Sequence, residues 1–442
     1  MRKIAIIGNG ISGITAARHL RKLGDDEIVV ISGETDHFFA RTALMYIYMG
    51  HMTYEHTKPY EDWFWTKNNL QLRRAWVQEL KPEEKQLLLS TGEYLSYDQL
   101  IIATGSKSNM FGWPGQDLPG VQGLYSYQDL ELMEENTRNI QKAVIVGGGL
   151  IGVEMAEMLR TRNIAVDLLI REQEFWDVVL PKEEASLIGR HIVEHHVNLR
   201  KGTEIEKIVA GDNGRVKAVL TKSGESIECQ YVGLTVGVSP NINFLKGSGM
   251  ELDRGVLVDP YLRTNLTDVY AIGDCAQFRN PLPNRRPIEQ VWYTGRMHGE
   301  TVARTIMGKD TAYKPGIWFN SAKFFDIEYQ TYGHVWNTLK ENEQQFYWEH
   351  PDGIKCIKFV YHKENHQLLG VNTFGIRLRH QVLDQWLQDK RDIFYVMKNL
   401  PEANFDPEFY TRHEKEIVTC FNQQHPSNPV ILKSGIFSRL FS

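Results

Sequence analysis

Two short phrases constrain this 442-residue chain more than anything else in it. KIAIIGNGISG, residues 3–13, and KAVIVGGGLIG, residues 142–152, each run an apolar strand straight into three glycines and then into a helical pattern. In the first, Gly8, Gly10 and Gly13 separate the strand Lys3 to Ile7 from a helix expected over Ile11 to Leu23, with Ala16, Ala17 and Leu20 on its apolar side. In the second, Gly147, Gly149 and Gly152 repeat the spacing, and Ala156 stands to Gly147 as Ala17 stands to Gly8. Each glycine has its own physical reason: the first permits a tight turn, the second lets backbone approach a pyrophosphate, and the third lets the helix pack closely on the sheet. The helix N-terminus then offers unpaired N–H groups and a partial positive charge to phosphate.

A lone cluster of this kind arises by chance, and its context decides. After the first phrase come a second strand, Ile28 to Ile31, and Glu34, an acid about 20 residues on that suits ribose hydroxyls. After the second come a helix over Val153 to Leu159, a strand Val166 to Ile170, and the sequence LLIREQEFW. An acid at that strand end favours a free ribose 2′-hydroxyl and an arginine a 2′-phosphate. Arg171 and Glu172 stand there together, so NADH and NADPH both remain open. Ser12 and Ile151, immediately before Gly13 and Gly152, join the candidate contacts. Two dinucleotides in one chain imply hydride or electron traffic between them.

The bulk numbers agree with such a protein and exclude others. A chain this long exceeds a single core of roughly 250–300 residues, so two or three domains are expected. The net charge of −5 is mild and mixed, with no basic block of the kind nucleic acid requires. No apolar run reaches the roughly 20 residues of a membrane-spanning helix. The first strand begins too early for a signal peptide, and a cytoplasmic location is expected. Only four cysteines occur, Cys229, Cys275, Cys356 and Cys420, none at a CxxC spacing, so the cysteines make no case for a redox disulfide, zinc site or cluster.

Three further phrases complete a layout. LSYDQLIIATGS ends a strand at Ala103, Thr104 and Gly105; LTVGVSPN contains Gly237; TNLTDVYAIGDCA ends a strand at Gly273 and Asp274. In this order the five motifs resemble the two-dinucleotide flavoprotein reductases, the group that includes ferredoxin and rubredoxin reductases, the reductase part of nitrite reductase, apoptosis-inducing factor and the pyridine nucleotide-disulfide oxidoreductases. The resemblance spans about residues 1–316 clearly and the remainder loosely. It implies an α/β fold of two Rossmann-like dinucleotide-binding domains, the second inserted in the first, plus an α+β C-terminal domain. Residues 1–118 with 242–316 would form the FAD domain, 119–241 the NAD(P)H domain and 317–442 an interface domain.

On matching positions the resemblance assigns the first phrase to the ADP half of FAD, with Glu34 on the adenosine ribose. Arg41, in ETDHFFARTAL, would lie beside FAD, and the Val77 backbone would meet the adenine. Asp274 would bind the ribityl chain or pyrophosphate, a role suited to a carboxylate that accepts hydroxyl protons. Glu154 would lie near the nicotinamide. The segment EQVWYTGRMHGETVARTI reads as a helix whose N-terminus, with Trp292, would stabilise charge developing on the flavin; equally, Trp292 and Tyr293 read as ordinary core.

Departures narrow the chemistry. Thiol-using relatives carry cysteine in the stretch that here reads DHFFARTALMYIYMGHM, without any. A thiolate relay is therefore disfavoured. Several relatives place a lysine shortly after the arginine, where this chain has Leu44, Met45 and Tyr46. No side chain is nominated as a nucleophile or as a general acid.

Beyond residue 317 aromatic-rich alternation, broken at PDG and KENHQ, suggests antiparallel strands, and QVLDQWLQDKRDIFYVMKNL reads as helix. His334, His362 and His380 read as surface or core residues, and NPVILKSGIFSRLFS as an apolar-basic tail. In the resembling family such a domain can mediate dimerisation, so a homodimer is open. The expected activity is an NAD(P)H oxidoreductase passing hydride to FAD and electrons onward. The expected acceptor is a ferredoxin- or rubredoxin-type carrier protein, with a quinone-like molecule close behind. The alternative is a sensing flavoprotein whose redox state controls partner binding.

Overall fold

The computed structural model describes residues 1–405 and 411–433; the end of the apolar-basic tail, 434–442, lies outside them. The chain forms two compact units, Met1–Gly147 with Met158–Ala165 and Ile205–Pro315, and Gly148–Glu157 with Val166–Glu204 and Gly316–Ser442.

The first unit is built on a parallel sheet in the order Val269–Ala271, Gln99–Ile102, Lys3–Ile7, Glu27–Ser32, Leu70–Arg74. Ile4, Ala5 and Ile6 are fully buried because both faces of the sheet are covered, which explains their continuous apolar run. Strand Val269–Ala271 returns from far along the chain to lie beside Gln99–Ile102, so the segment between is an insertion. Within that insertion Lys142–Val146 pairs in parallel with Tyr231–Leu234, which pairs in parallel with Val121–Gln122. Helix Ile11–Leu23 packs against helix Trp292–Ile306, and the contact explains Gly299: a Cβ there would sit 2.6 Å from the Ser12 carbonyl oxygen.

The second unit contains a parallel pair, Ala165–Leu169 with Val197–Arg200, connected through helix Lys182–Glu194. It also holds an antiparallel sheet in the order Phe319–Phe324, Ile327–Gly333, Leu368–Phe374, Cys356–His362, Glu343–Glu349. Phe346, Ile357 and Phe359 of that sheet share a core with Leu383, Val396 and Phe421 of the helices beyond it. The molecule is thus α/β, with two Rossmann-like domains and an α+β portion.

Two expected helices differ in extent. QVLDQWLQDKRDIFYVMKNL forms two, His380–Gln388 and Ile393–Lys398. Lys390 turns left-handed (φ 55°), and the Asp392 side chain accepts the Tyr395 N–H to start the second helix. The helix expected from Glu289 begins at Trp292, because the Glu289 carboxylate instead holds Arg285, the Thr294 hydroxyl and the Tyr313 hydroxyl. Among the described residues no helix is long and apolar enough to cross a membrane.

Candidate functional site

The first glycine turn separates packing from access. Gly8 is left-handed (φ 113°), and a Cβ on it would lie 2.2 Å from the Ala103 carbonyl oxygen; one on Gly13 would lie 2.1 Å from the oxygen of Gly8. Both are needed for closure of the fold. Gly10 is the N-cap of helix Ile11–Leu23, lacks any side-chain cap, and has no atom within 4 Å of where a Cβ would stand. The turn therefore presents uncapped N–H groups across open space, the form a pyrophosphate requires.

Ser12 is buried under the turn that carries Gly273 and Asp274, where a Cβ on Gly273 would lie 2.3 Å from its hydroxyl. That turn is tied to helix Trp292–Ile306 by the Gly273 N–H, which donates to His298 Nδ1 at 3.1 Å. Burial lowers the His298 pKa to about 3, so the ring stays neutral and Nδ1 remains an acceptor at physiological pH.

A partly buried polar network surrounds this turn. Arg41 makes a two-pronged pair with Glu34 (2.7 and 2.6 Å) and donates to the Tyr125 carbonyl at 2.6 Å. Burial works against the guanidinium, and the Glu34 bonds more than restore its charge. Glu34 also accepts the Tyr127 N–H at 2.9 Å. Its carboxylate is thus engaged by protein before any ribose, leaving about one of roughly four lone-pair sites. Ser106 N–H donates to the Tyr125 hydroxyl at 2.9 Å, and that hydroxyl donates to Asp274 at 3.3 Å. Ser106 Oγ stands 3.4 Å from the same oxygen and accepts from Gln290 at 2.8 Å. Burial raises the Asp274 carboxyl, while Arg41, Tyr125 and Ser106 draw it back down. A half-buried acid flanked by the hydroxyls of Tyr125 and Ser106, with a guanidinium nearby, is suited to polyol or pyrophosphate, so the residues fit the FAD expected here.

The other first-unit candidates frame the same region. Ala103 is buried at the strand end, Thr104 donates to the Asn241 carbonyl at 2.8 Å, and Gly105 is left-handed against Tyr125. Val77 opens strand Val77–Lys81 and is half-buried. Gly237 is left-handed and its carbonyl accepts the Asn109 N–H. Trp292, the first residue of its helix, is 37% exposed and meets Tyr293 edge to face, so it is not core. Leu44 and Met45 are buried.

The second phrase repeats the division. In the first unit Gly147 is left-handed (φ 118°), and a Cβ would lie 2.5 Å from the Thr235 carbonyl oxygen. In the second unit Gly149 opens onto empty space, as Gly10 does, with Ile151, Gly152 and Glu154 on the helix after it. The Glu154 carboxyl is pushed up to about 7, first by burial and then by the charge of Glu157. Arg171 is exposed and paired with Glu172 at 2.9 Å. One charge of each sign thus stands at the strand end, where sequence reading found two conflicting signals.

Cys275 adjoins Asp274 but is fully buried; its thiol lies near the Ile102 and Ile272 carbonyls, and burial raises its pKa. This is the setting of an inert thiol. Cys229 and Cys356 are buried too, and none of the four is in a disulfide. Sequence reasoning missed His298, Tyr125, Ser106 and Gln290. Ser106 ends the ATGS phrase, and Gln290 and His298 lie in the EQVWYTGRMHGETVARTI segment, so their phrases carried a signal that Tyr125 did not.

A family model described as pyridine nucleotide-disulphide oxidoreductase matches residues 2–299. The ferredoxin–NAD(+) reductase subunit of the benzene 1,2-dioxygenase system of Pseudomonas putida is 29% identical over 311 residues, 70% of this chain and 75% of that protein. The nitrite reductase [NAD(P)H] of Bacillus subtilis is 26% identical over 403 residues, 90% of this chain; the chain spans about half of that longer protein, 48%. A ferredoxin reductase from Rhodopseudomonas palustris has the same fold, with a TM-score of 0.78 at 22% identity over 92% of this chain and 96% of that one.

Proposed function

The chain belongs to the pyridine nucleotide-disulphide oxidoreductase family, and on that premise we propose that it reduces a small one-electron carrier protein at the expense of NAD(P)H. It is an NAD(P)H-using flavoprotein oxidoreductase. Bound FAD would supply the redox chemistry linking NAD(P)H to the acceptor.

The protein's own residues bind, orient and polarise. The N–H groups after Gly10 receive the FAD pyrophosphate, and Asp274 accepts hydroxyl protons from the ribityl chain. Arg41 holds Glu34 for the ribose, and Val77 lines the adenine. The N-terminus of the helix beginning at Trp292 would supply a positive end to stabilise charge developing on a bound flavin. Gly149 and Glu154 serve the nicotinamide dinucleotide, whose 2′ position meets Arg171 and Glu172. Ala103, Thr104, Gly105 and Gly237 complete the walls.

One observation carries the choice of acceptor: residues 36–52 contain no cysteine, and Cys275, beside the acid turn, is buried and raised in pKa. Without a thiolate to form a mixed disulfide, the acceptor this reading favours is a one-electron carrier protein, the kind of acceptor named in the ferredoxin–NAD(+) reductase relative. We place this activity in the cytoplasm, a compartment that keeps thiols reduced. The test is steady-state NADH and NADPH oxidation with a ferredoxin, a rubredoxin, a quinone and an aryl disulfide. Fastest turnover with an iron carrier protein is expected. Fastest turnover with the disulfide would overturn the proposal; a reduced flavin that persists beside every acceptor would favour the sensing alternative.

A further inference from the structure

The second unit brings together three metal-ligating atoms that the redox function does not use. His191 lies in the last turn of helix Lys182–Glu194, and His195 is its C-cap, one turn on, with the helical bond from the His195 N–H to the His191 carbonyl intact at 3.1 Å. Residues four apart share a face of a helix, which is how a histidine pair grips one ion. Asp326 comes from elsewhere in the same unit, at the second position of the two-residue turn between strands Phe319–Phe324 and Ile327–Gly333.

The three atoms converge. His191 Nε2 is 2.5 Å from Asp326 Oδ1, His195 Nε2 is 3.2 Å from the same oxygen, and the two Nε2 atoms are 3.1 Å apart. Ligands about 2.0–2.1 Å from a tetrahedral zinc stand roughly 3.3 Å from one another. Two of the three edges already match, and the third opens by less than an ångström when the proton between His191 and Asp326 is replaced by a metal ion.

The surroundings hold the ligands in place. His195 stacks on Phe325 at 4.4 Å and 13°. Phe325 takes the left-handed conformation (φ 55°) that a two-residue turn normally gives to glycine, and its buried ring is what packs the turn under His195. His191 is buried, its Nδ1 has no hydrogen-bond partner, and Glu194 Oε2 lies 3.6 Å away, the carboxylate that commonly orients a metal-bound imidazole. Asp326 is mostly exposed, so a fourth position faces solvent.

We propose that His191, His195 and Asp326 bind one divalent transition-metal ion of the zinc class, completed by water, which staples the turn of the C-terminal sheet to helix Lys182–Glu194. A looser group, His350, His413 and Glu416, provides an internal control. The experiment strips the full-length, FAD-loaded protein with chelator and titrates it with Zn²⁺ against a chromophoric competitor, following stoichiometry and melting temperature. One equivalent that raises the melting temperature is expected. His195→Gln and Asp326→Asn should each weaken it at least tenfold with unchanged flavin content, and His413→Gln should leave it intact. Asp326→Asn, in an exposed turn, keeps the test valid if His195→Gln folds poorly. Binding that survives Asp326→Asn unweakened, binding lost instead in His413→Gln, or no binding by the wild type would overturn the proposal.

Discussion

The two glycine phrases are near copies in sequence and opposites in setting. Around the first, partly buried polar groups bond to one another: Arg41 grips Glu34, Tyr125 and Ser106 attend Asp274, and His298 holds the Gly273 N–H. Around the second, Glu154 carries a raised pKa, and an exposed arginine pairs with the neighbouring acid. On the function proposed above, the first turn would hold a resident cofactor and the second a ligand that leaves on every turnover, and the side chains brought to the two turns differ accordingly.

The sharpest way to break this comparison is to block each turn in the same manner. Gly10 and Gly149 both face open space, so Gly10→Val should leave a folded chain that binds FAD at least ~100-fold more weakly, about 2.7 kcal/mol. Gly149→Val should retain FAD and raise the KM for NAD(P)H instead. Flavin absorbance per chain and initial rates check both, and an equal loss of FAD in the two variants would refute separate sites.

A second effect is on stability. Arg41→Met strands the Glu34 carboxylate, which is 15% exposed, and should cost about 2 kcal/mol, tempered because the guanidinium is 29% exposed. Thermal melting against Arg171→Met, whose guanidinium is 74% exposed, gives the contrast: that ion pair is screened by solvent on the arginine side, and the variant should melt closer to wild type.

A third turns on pH. The Glu154 carboxyl titrates near 7 in the folded chain and near its ordinary value of 4.5 when unfolded. The folded state therefore holds the extra proton, and stability from this group is present below pH 4.5 and lost as pH rises toward 7. Glu154→Gln should match wild type at pH 4.5 and melt higher at pH 8; a constant difference across that window would remove Glu154 as its cause.

The smallest expected effect is in cofactor choice. Arg171→Ala should raise the KM for NADPH several-fold while changing that for NADH little, because the side chain is exposed and its contribution screened. Equal changes would mean that Arg171 does not meet a 2′-phosphate.

Much of this molecule was legible in its residues. Both glycine turns, the strands before them, the helix Ile11–Leu23 and Asp274 at a strand end follow from local spacing, since turn chemistry and hydrophobic period act over a few residues. The missing thiols were legible as well. The break at Lys390 was not, because a single left-handed residue is chosen by the cap that Asp392 supplies to the next helix. Nor was the extent of the helix starting at Trp292, which depends on where the Glu289 carboxylate is spent.

By itself the sequence determined that two dinucleotide turns exist and that no cysteine stands in the stretch where thiol-using relatives carry one. Tertiary structure alone decided which side chains serve each turn. Strand Val269–Ala271 returns to pair with Gln99–Ile102, and only that register brings Asp274 to Ser106 and Tyr125. The packing of Trp292–Ile306 on Ile11–Leu23 likewise carries His298 to Gly273. Such contacts join residues far apart in the chain, so they depend on sheet order and helix packing, which no local pattern of residue types encodes.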